Sequence, residues 1–271
     1  MHKRKNLLVI LAVVLVTMVV IVSGVSAITN GELDGEDHPH VVLLRMDVGG
    51  VPMWRCSGTL LSPTVLLTAG HCTSNYPDEP YSGMRVFTES DVENGNNNYP
   101  YPGPNTVEAV SWHTLPGYED PGPWFMYDAG IVILEEPGVI LDEYGVLPEL
   151  DELDAYKTKR GQHKLWFTAV GYGLQRINPV FVEAEKIRMV AYPKLNQINA
   201  PGFTGEYSLL LSNNHSTGGT CFGDSGGPNF MYDTNIVAGI TSFGNNGNCA
   251  GTGGVFRTDR QNVQDFVNQF L

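Results

Sequence analysis

Ser225 stands in the segment Thr220-Cys221-Phe222-Gly223-Asp224-Ser225-Gly226-Gly227-Pro228. A glycine-rich turn lets backbone N–H groups converge on an anion. A nucleophile benefits from that setting, because acyl transfer places negative charge on the substrate oxygen as the bond forms. A serine hydroxyl is a poor nucleophile until a neighbour takes its proton. His71, in Leu67-Thr68-Ala69-Gly70-His71-Cys72, is the candidate base, since imidazole has an ordinary pKa near neutrality. Asp128 opens Asp128-Ala129-Gly130-Ile131-Val132-Ile133-Leu134, an apolar run beside which an unpaired carboxylate would be costly. By itself GDSGGP could be an ordinary tight turn. With the other two segments it completes a base, a group to orient the base, and a nucleophile, in the order His, Asp, Ser. His38, His40, His113, His163 and His215 lack a comparable context, as do Asp120 and Asp142.

These segments resemble the chymotrypsin-like, trypsin-fold family of secreted serine endopeptidases, from about Ile28 to the C-terminus. The resemblance implies an all-β fold of two six-stranded antiparallel Greek-key barrels with a C-terminal α-helix and the active site in the cleft between barrels. It implies His71 as base, Asp128 as its orienting partner and Ser225 as nucleophile, through an acyl-enzyme intermediate. The oxyanion would be held by the N–H groups of Gly223 and Ser225, and Ser242 would hydrogen-bond Asp128. Asp224 would pair with a new N-terminal ammonium, for which Ile28 is the candidate. Disulfides Cys56–Cys72 and Cys221–Cys249 are implied in the same way.

The primary pocket would have Gly219 at its base with Thr220 beside it, and walls from Ser242, Phe243, Gly244 and Gly254. No carboxylate stands there to receive Lys or Arg. Glycine at 244 and 254 implies an open, deep pocket for aromatic or large aliphatic side chains. The runner-up is a glutamate preference, because Thr220 could donate to a carboxylate; the pocket histidine that usually accompanies that taste has no counterpart, Thr241 and Phe256 standing at the matching positions. A third reading is a catalytically silent secreted binding homologue, which a serine-directed phosphonate would leave unlabelled. Phe243 replaces the tryptophan usual in the family, and it and Gly244 would pair with the extended substrate.

The chain has 271 residues, 42% hydrophobic and 17% charged, enough for one large or two small cores. His2-Lys3-Arg4-Lys5, the apolar run Leu7 to Val22 and the small residues Val25-Ser26-Ala27 read as a signal peptide over 1–27. The rival is an uncleaved membrane anchor, for which the run is short of the roughly 20 residues needed. Losing Lys3, Arg4 and Lys5 takes the net charge from −13 to −16, which repels nucleic acid and acidic substrates at long range. Cleavage after Ala27 would expose Ile28 directly, so signal removal itself would create the active N-terminus. Four cysteines in an exported chain mean two disulfides with three possible pairings. The expected partners are protein or peptide substrates and protein inhibitors, with no nucleic acid, for a secreted monomer that needs no cofactor.

The elements that must carry these residues are short apolar stretches between turn signals. Val41–Leu44, Gly58–Leu61, Val65–Thr68, Met84–Phe87 and Ile131–Leu134 read as strands of a first barrel over 28–150. Lys164–Val170, Lys186–Val190, Ile236–Ser242 and Gly254–Arg257 read as strands of a second barrel over 151–271, with Leu147–Gln162 as linker. Val263, Phe266, Val267, Phe270 and Leu271 have helical spacing; Asp259 is the candidate cap, and the helix should pack on the second barrel. Glu89, Asp91 and Glu93 precede an Asn-rich loop in the region where relatives hold calcium, but their spacing matches no strict calcium motif. His38 and His40 supply only two metal ligands, so no metal site is expected. Asn214-His215-Ser216 is a glycosylation sequon.

Overall fold

The computed structural model describes residues 27–75, 80–119, 126–157, 165–178, 181–200 and 204–271. The signal-peptide reading, which rests on 1–27, falls almost wholly outside them. In chain order the strands are β1 (Glu32–Leu33), β2 (Val41–Val48), β3 (Val51–Leu60), β4 (Val65–Thr68), β5 (Tyr81–Phe87), β6 (Thr106–Thr114), β7 (Gly130–Leu134) and β8 (Phe167–Gly171). They continue with β9 (Arg176–Asn178), β10 (Phe181–Glu183), β11 (Met189–Ala191), β12 (Leu195–Ala200), β13 (Gly205–Asn213), β14 (Pro228–Met231), β15 (Val237–Gly244) and β16 (Gly251–Arg257).

Strands β2 to β7 close into a barrel in the order β2-β3-β4-β7-β6-β5. The runs Val41–Leu44 and Val65–Leu67 are continuously apolar because both faces are covered. Leu44, Leu66 and Ile131 fill the main core, whereas Leu43 packs outward with Phe87, Val92 and Tyr172. Gly58 lies against Leu66, leaving no room for a side chain between the two strands.

The second half departs from the expected six-stranded barrel. It is an open eight-stranded sheet, ordered β1-β11-β8-β14-β15-β16-β13-β12, with β9 and β10 forming a separate hairpin. Two features account for the difference. β1 comes from the N-terminal segment and pairs with β11, which extends one edge, and β12, at the other edge, meets the entry to β8 only through the isolated bridge of Lys194 with Trp166, so no continuous ladder closes the sheet. The N-terminal segment thus belongs to the second sheet by pairing, although it precedes the first barrel in sequence.

The region read as a linker contains a 3-10 helix, Glu152–Tyr156, whose Leu153 is buried in a core with Phe167, Leu195 and Leu209. Short helix α1 spans Gly70–Thr73 and α2 spans Gln261–Val267. Asp259 does not cap α2, which has Arg260 at its N-cap without a side-chain bond. Asp259 is buried and turned to Arg257 and to the N–H of Leu153, so it caps the 3-10 helix. Val263, Phe266 and Val267 join the main core, shared with residues of both sheets, and Phe270 packs on His113 of the first barrel. Leu271 is exposed. The helix therefore bridges the two halves. Among the described residues no helix is long and apolar enough to cross a membrane.

Candidate active site

His71 sits in α1, which the Cys56–Cys72 disulfide ties to β3. Asp128, just before β7, is fully buried. Its Oδ1 accepts the His71 backbone N–H at 2.9 Å, and its carboxylate faces His71 Nδ1 at 3.0 and 3.1 Å. The Ser242 hydroxyl donates to Oδ2 at 2.5 Å from the opposite half. With a carboxylate in front of it, Nδ1 carries the ring hydrogen, which leaves Nε2 as the acceptor. Burial from water lets these bonds fix the ring rather than compete with solvent.

The Ser225 turn is held from several sides. Cys221 is bridged to Cys249, the N–H of Gly226 donates to Thr241 O at 2.9 Å, and the N–H of Ser57 donates to Ser225 O at 2.8 Å. Gly223 has φ +97°, a region costly for any residue with a Cβ. Among the described residues, the N–H groups of Gly223 and Ser225 donate to no protein acceptor. Ser225 and His71 line one cleft of about 610 Å³ with Thr220, Phe222, Ser242, Phe243 and Gly244.

Two pocket residues behave differently from the expectation. Gly219 does not line the cleft; the Asn213 side chain occupies the space a side chain at 219 would need. Asn213 Nδ2 donates to Thr220 O at 2.7 Å, and its Oδ1 accepts from the Thr29 hydroxyl at 2.9 Å. Gly254 gives its room to the Phe243 ring, which stands where a Cβ at 254 would be. The pocket is therefore narrower than two glycines imply, with an amide at its floor. Asn213, Thr252 and Tyr118 also line the cleft and were not singled out in the sequence. No spacing links Asn213 to the pocket, because the β13 that delivers it was not read as a strand.

Asp224 is also fully buried, with its carboxylate accepting the N–H groups of Gly173 at 2.7 Å and Cys221 at 2.8 Å. Burial pushes its pKa up to about 7. The Ile28 N–H is not among its donors; the Ile28 side chain is buried with Met189 and Ala191, and Thr29 pairs with Gly219. The acidic loop spends its carboxylates internally. Glu89 accepts from Asn96, Asn97 and Asn105, Asp91 from Asn94, and Glu93 pairs with Lys186. His38 Nδ1 bonds Asp34 at 2.5 Å, while buried His40 has its pKa lowered to about 4, chiefly by loss of water.

The family model described as Trypsin matches residues 28–267. Prostatic glandular kallikrein-6 of Rattus norvegicus is 28% identical over 206 residues, 70% of each chain. Serine protease 1 of Drosophila melanogaster is 25% identical over 232 residues, covering 82% of this chain and 77% of its own. The solved structure described as HL collagenase superposes with a TM-score of 0.67 at 21% identity, over 89% of this chain and 97% of its own, and shares the fold. The extent of the family match, with the His71, Asp128 and Ser225 segments all inside it, places the chain in the trypsin family, and it is a serine endopeptidase.

Proposed function

We propose that the enzyme is secreted after removal of residues 1–27 and cleaves proteins or peptides by the following division of labour. Ser225 attacks the scissile carbonyl while His71 Nε2 takes its proton and later returns it to the leaving amine. Asp128 fixes the ring and stabilises the imidazolium. The N–H groups of Gly223 and Ser225 receive the developing oxyanion. The observation that carries this reading is the buried Asp128 carboxylate, engaged at once by the His71 backbone, the His71 ring and the Ser242 hydroxyl. Acylation and hydrolysis of the acyl-enzyme need nothing beyond these groups and water.

The pocket favours large apolar or aromatic side chains before the cut. Among the residues lining the cleft, His71 is the sole titratable base and none is Asp, Glu, Lys or Arg, so no fixed charge rewards a charged side chain. Phe243 supplies an apolar wall. The new ammonium of Ile28 turns in to meet Asp224, giving it the directly bonded cation that the more distant charge of Arg55 does not provide.

Cleavage of a mixed peptide library by the secreted enzyme, with Ser225→Ala alongside, tests this reading. Cuts after Phe, Tyr or Leu that disappear in the variant are expected. Cuts after Lys or Arg would overturn the pocket assignment, and a secreted form that begins anywhere but Ile28 would overturn the activation scheme.

A further inference from the structure

Three arginines stand side by side across the first barrel. Arg55 of β3 is directly opposite Arg45 of β2, and Arg45 is directly opposite Arg85 of β5. Such pairs share one face of the sheet with Cβ atoms about 5 Å apart, and like charges there repel. Arg85 is neutralised by Asp47 and Glu108. Arg45 and Arg55 are not: among the described residues neither forms an ion pair with a carboxylate. Arg45 lies over the Tyr99 ring at 5.7 Å, and its buried Nε has no hydrogen-bond partner. Arg55 donates to the Ala184 carbonyl at 3.5 Å, and the nearest carboxylate that feels its charge, Asp224, is buried and already engaged by two backbone N–H groups. Of the other charges nearby, Asp47 is engaged by Arg85, and Lys186, also over the Tyr99 ring, is paired with Glu93.

The row ends at the catalytic turn. Arg55 Nε lies 3.2 Å from where a Cβ on Gly223 would stand. Two residues further along β3, Ser57 binds Ser225 O through its N–H and Gly223 O through its hydroxyl. The cleft that takes the acyl side is lined by β15, β16 and the 220–225 turn, and Arg55 is not part of it. Arg55 therefore flanks the Gly223 turn from outside that cleft.

We propose that Arg45 and Arg55 form a carboxylate-binding subsite for the leaving peptide, filled by an Asp or Glu side chain within a few residues after the scissile bond. This rests on the placement of Ser225 and Gly223 at the reaction centre. Guanidinium groups match a carboxylate geometrically and bind it more strongly than a neutral acceptor. The incoming charge also relieves the repulsion within the arginine row. Burial, together with the neighbouring Arg55, holds the Arg45 pKa below its ordinary value, as expected of a cation short of counter-charge. A chain of net charge −13 repels acidic substrates at long range, so the preference is local and depends on position.

The test uses peptides with one acyl side, chosen from the library, and with Glu or Gln at each of the first three positions after the cut. A parallel pair ends there in a free carboxylate or an amide. At one position kcat/KM for Glu should exceed that for Gln by about tenfold, equivalent to ~1.4 kcal/mol. The ratio should approach one in Arg45→Gln and Arg55→Gln, survive in part in Arg55→Lys, and turn toward Lys peptides in Arg55→Glu. Discrimination seen only between terminal carboxylate and amide would overturn the side-chain assignment in favour of the departing C-terminus. Equal losses for Glu and Gln peptides in Arg55→Gln would reduce Arg55 to a support for the Gly223 turn and overturn the subsite, as would a wild type blind to Glu. Failure of the underlying reading looks different: cleavage of every peptide would then be indifferent to Ser225→Ala, and the subsite would fall with it.

Discussion

Asp128 and Asp224 are both withdrawn completely from water, and they are treated in opposite ways. Asp128, beside the closed barrel, accepts from the His71 backbone, faces the His71 ring, and takes a hydroxyl hydrogen from Ser242. Asp224, in the open half, has two backbone N–H donors and no cation bonded to it, and burial drives its pKa to about 7. Both are buried to the same degree, so burial alone does not set the state of a carboxylate; the donors around it do. One site is complete as folded. The other has two backbone donors and the field of Arg55, which do not offset its burial.

The sharpest way to break this comparison is at Asp128. Asp128→Asn keeps the shape but offers an N–H₂ where an acceptor is needed, which favours the wrong imidazole tautomer. From the general behaviour of the serine triad, kcat should fall by roughly 10⁴-fold with KM little changed. Steady-state kinetics on one peptide substrate measure it. A loss under tenfold would mean that His71 is oriented by something other than Asp128.

Ser242→Ala probes the same carboxylate from the opposite half and should cost less. It removes one charge-assisted hydrogen bond from a buried acceptor that keeps its other partners, a loss of about 1.5–3 kcal/mol in such settings. If that appears in the transition state, kcat/KM falls by about 10- to 100-fold. An unchanged rate would show that the bond across the cleft is dispensable and that the first barrel orients the base unaided.

How much of this could be read from the chain follows the same division. The first barrel announced itself because β2, β4 and β7 are short apolar runs bounded by turns, and only β6, with Glu108 and His113 among its apolar residues, escaped notice. In the second half β12, Leu-Asn-Gln-Ile-Asn-Ala, carries too many amides to look like a strand, and β13 was missed with it. Nor could the sequence show that Glu32 and Leu33 leave the first half to pair with β11, since strand pairing across 150 residues leaves no local trace. The candidate triad was legible because each member lies in a short diagnostic segment, and the structure brings His71 against Asp128 and puts His71 and Ser225 in one cleft. The pocket was less so: Asn213 and the Phe243–Gly254 contact are tertiary facts, and two glycines suggested space that neighbours in fact fill.

The smallest predicted effect bears on Asp224, and its sign follows from proton counting. Take the Ser225→Ala chain in two forms, one retaining residues ahead of Ile28 and one beginning at Ile28. In the longer form the folded protein holds the Asp224 proton up to about pH 7, whereas an unfolded aspartate releases it near pH 4. Between those values the folded state binds one more proton than the unfolded state, so stability declines as pH rises and levels off above about 7. In the shorter form the Ile28 ammonium keeps Asp224 ionised and removes that decline. Other groups contribute equally to both forms. His40, for instance, has its pKa lowered to about 4 and acts in the opposite direction, but it cancels in the difference. The melting temperature of the shorter form should therefore pull ahead of the longer by a few degrees between pH 5 and pH 8. Parallel curves would mean that the ammonium never reaches Asp224, and that the open half obtains its missing charge elsewhere or works without it.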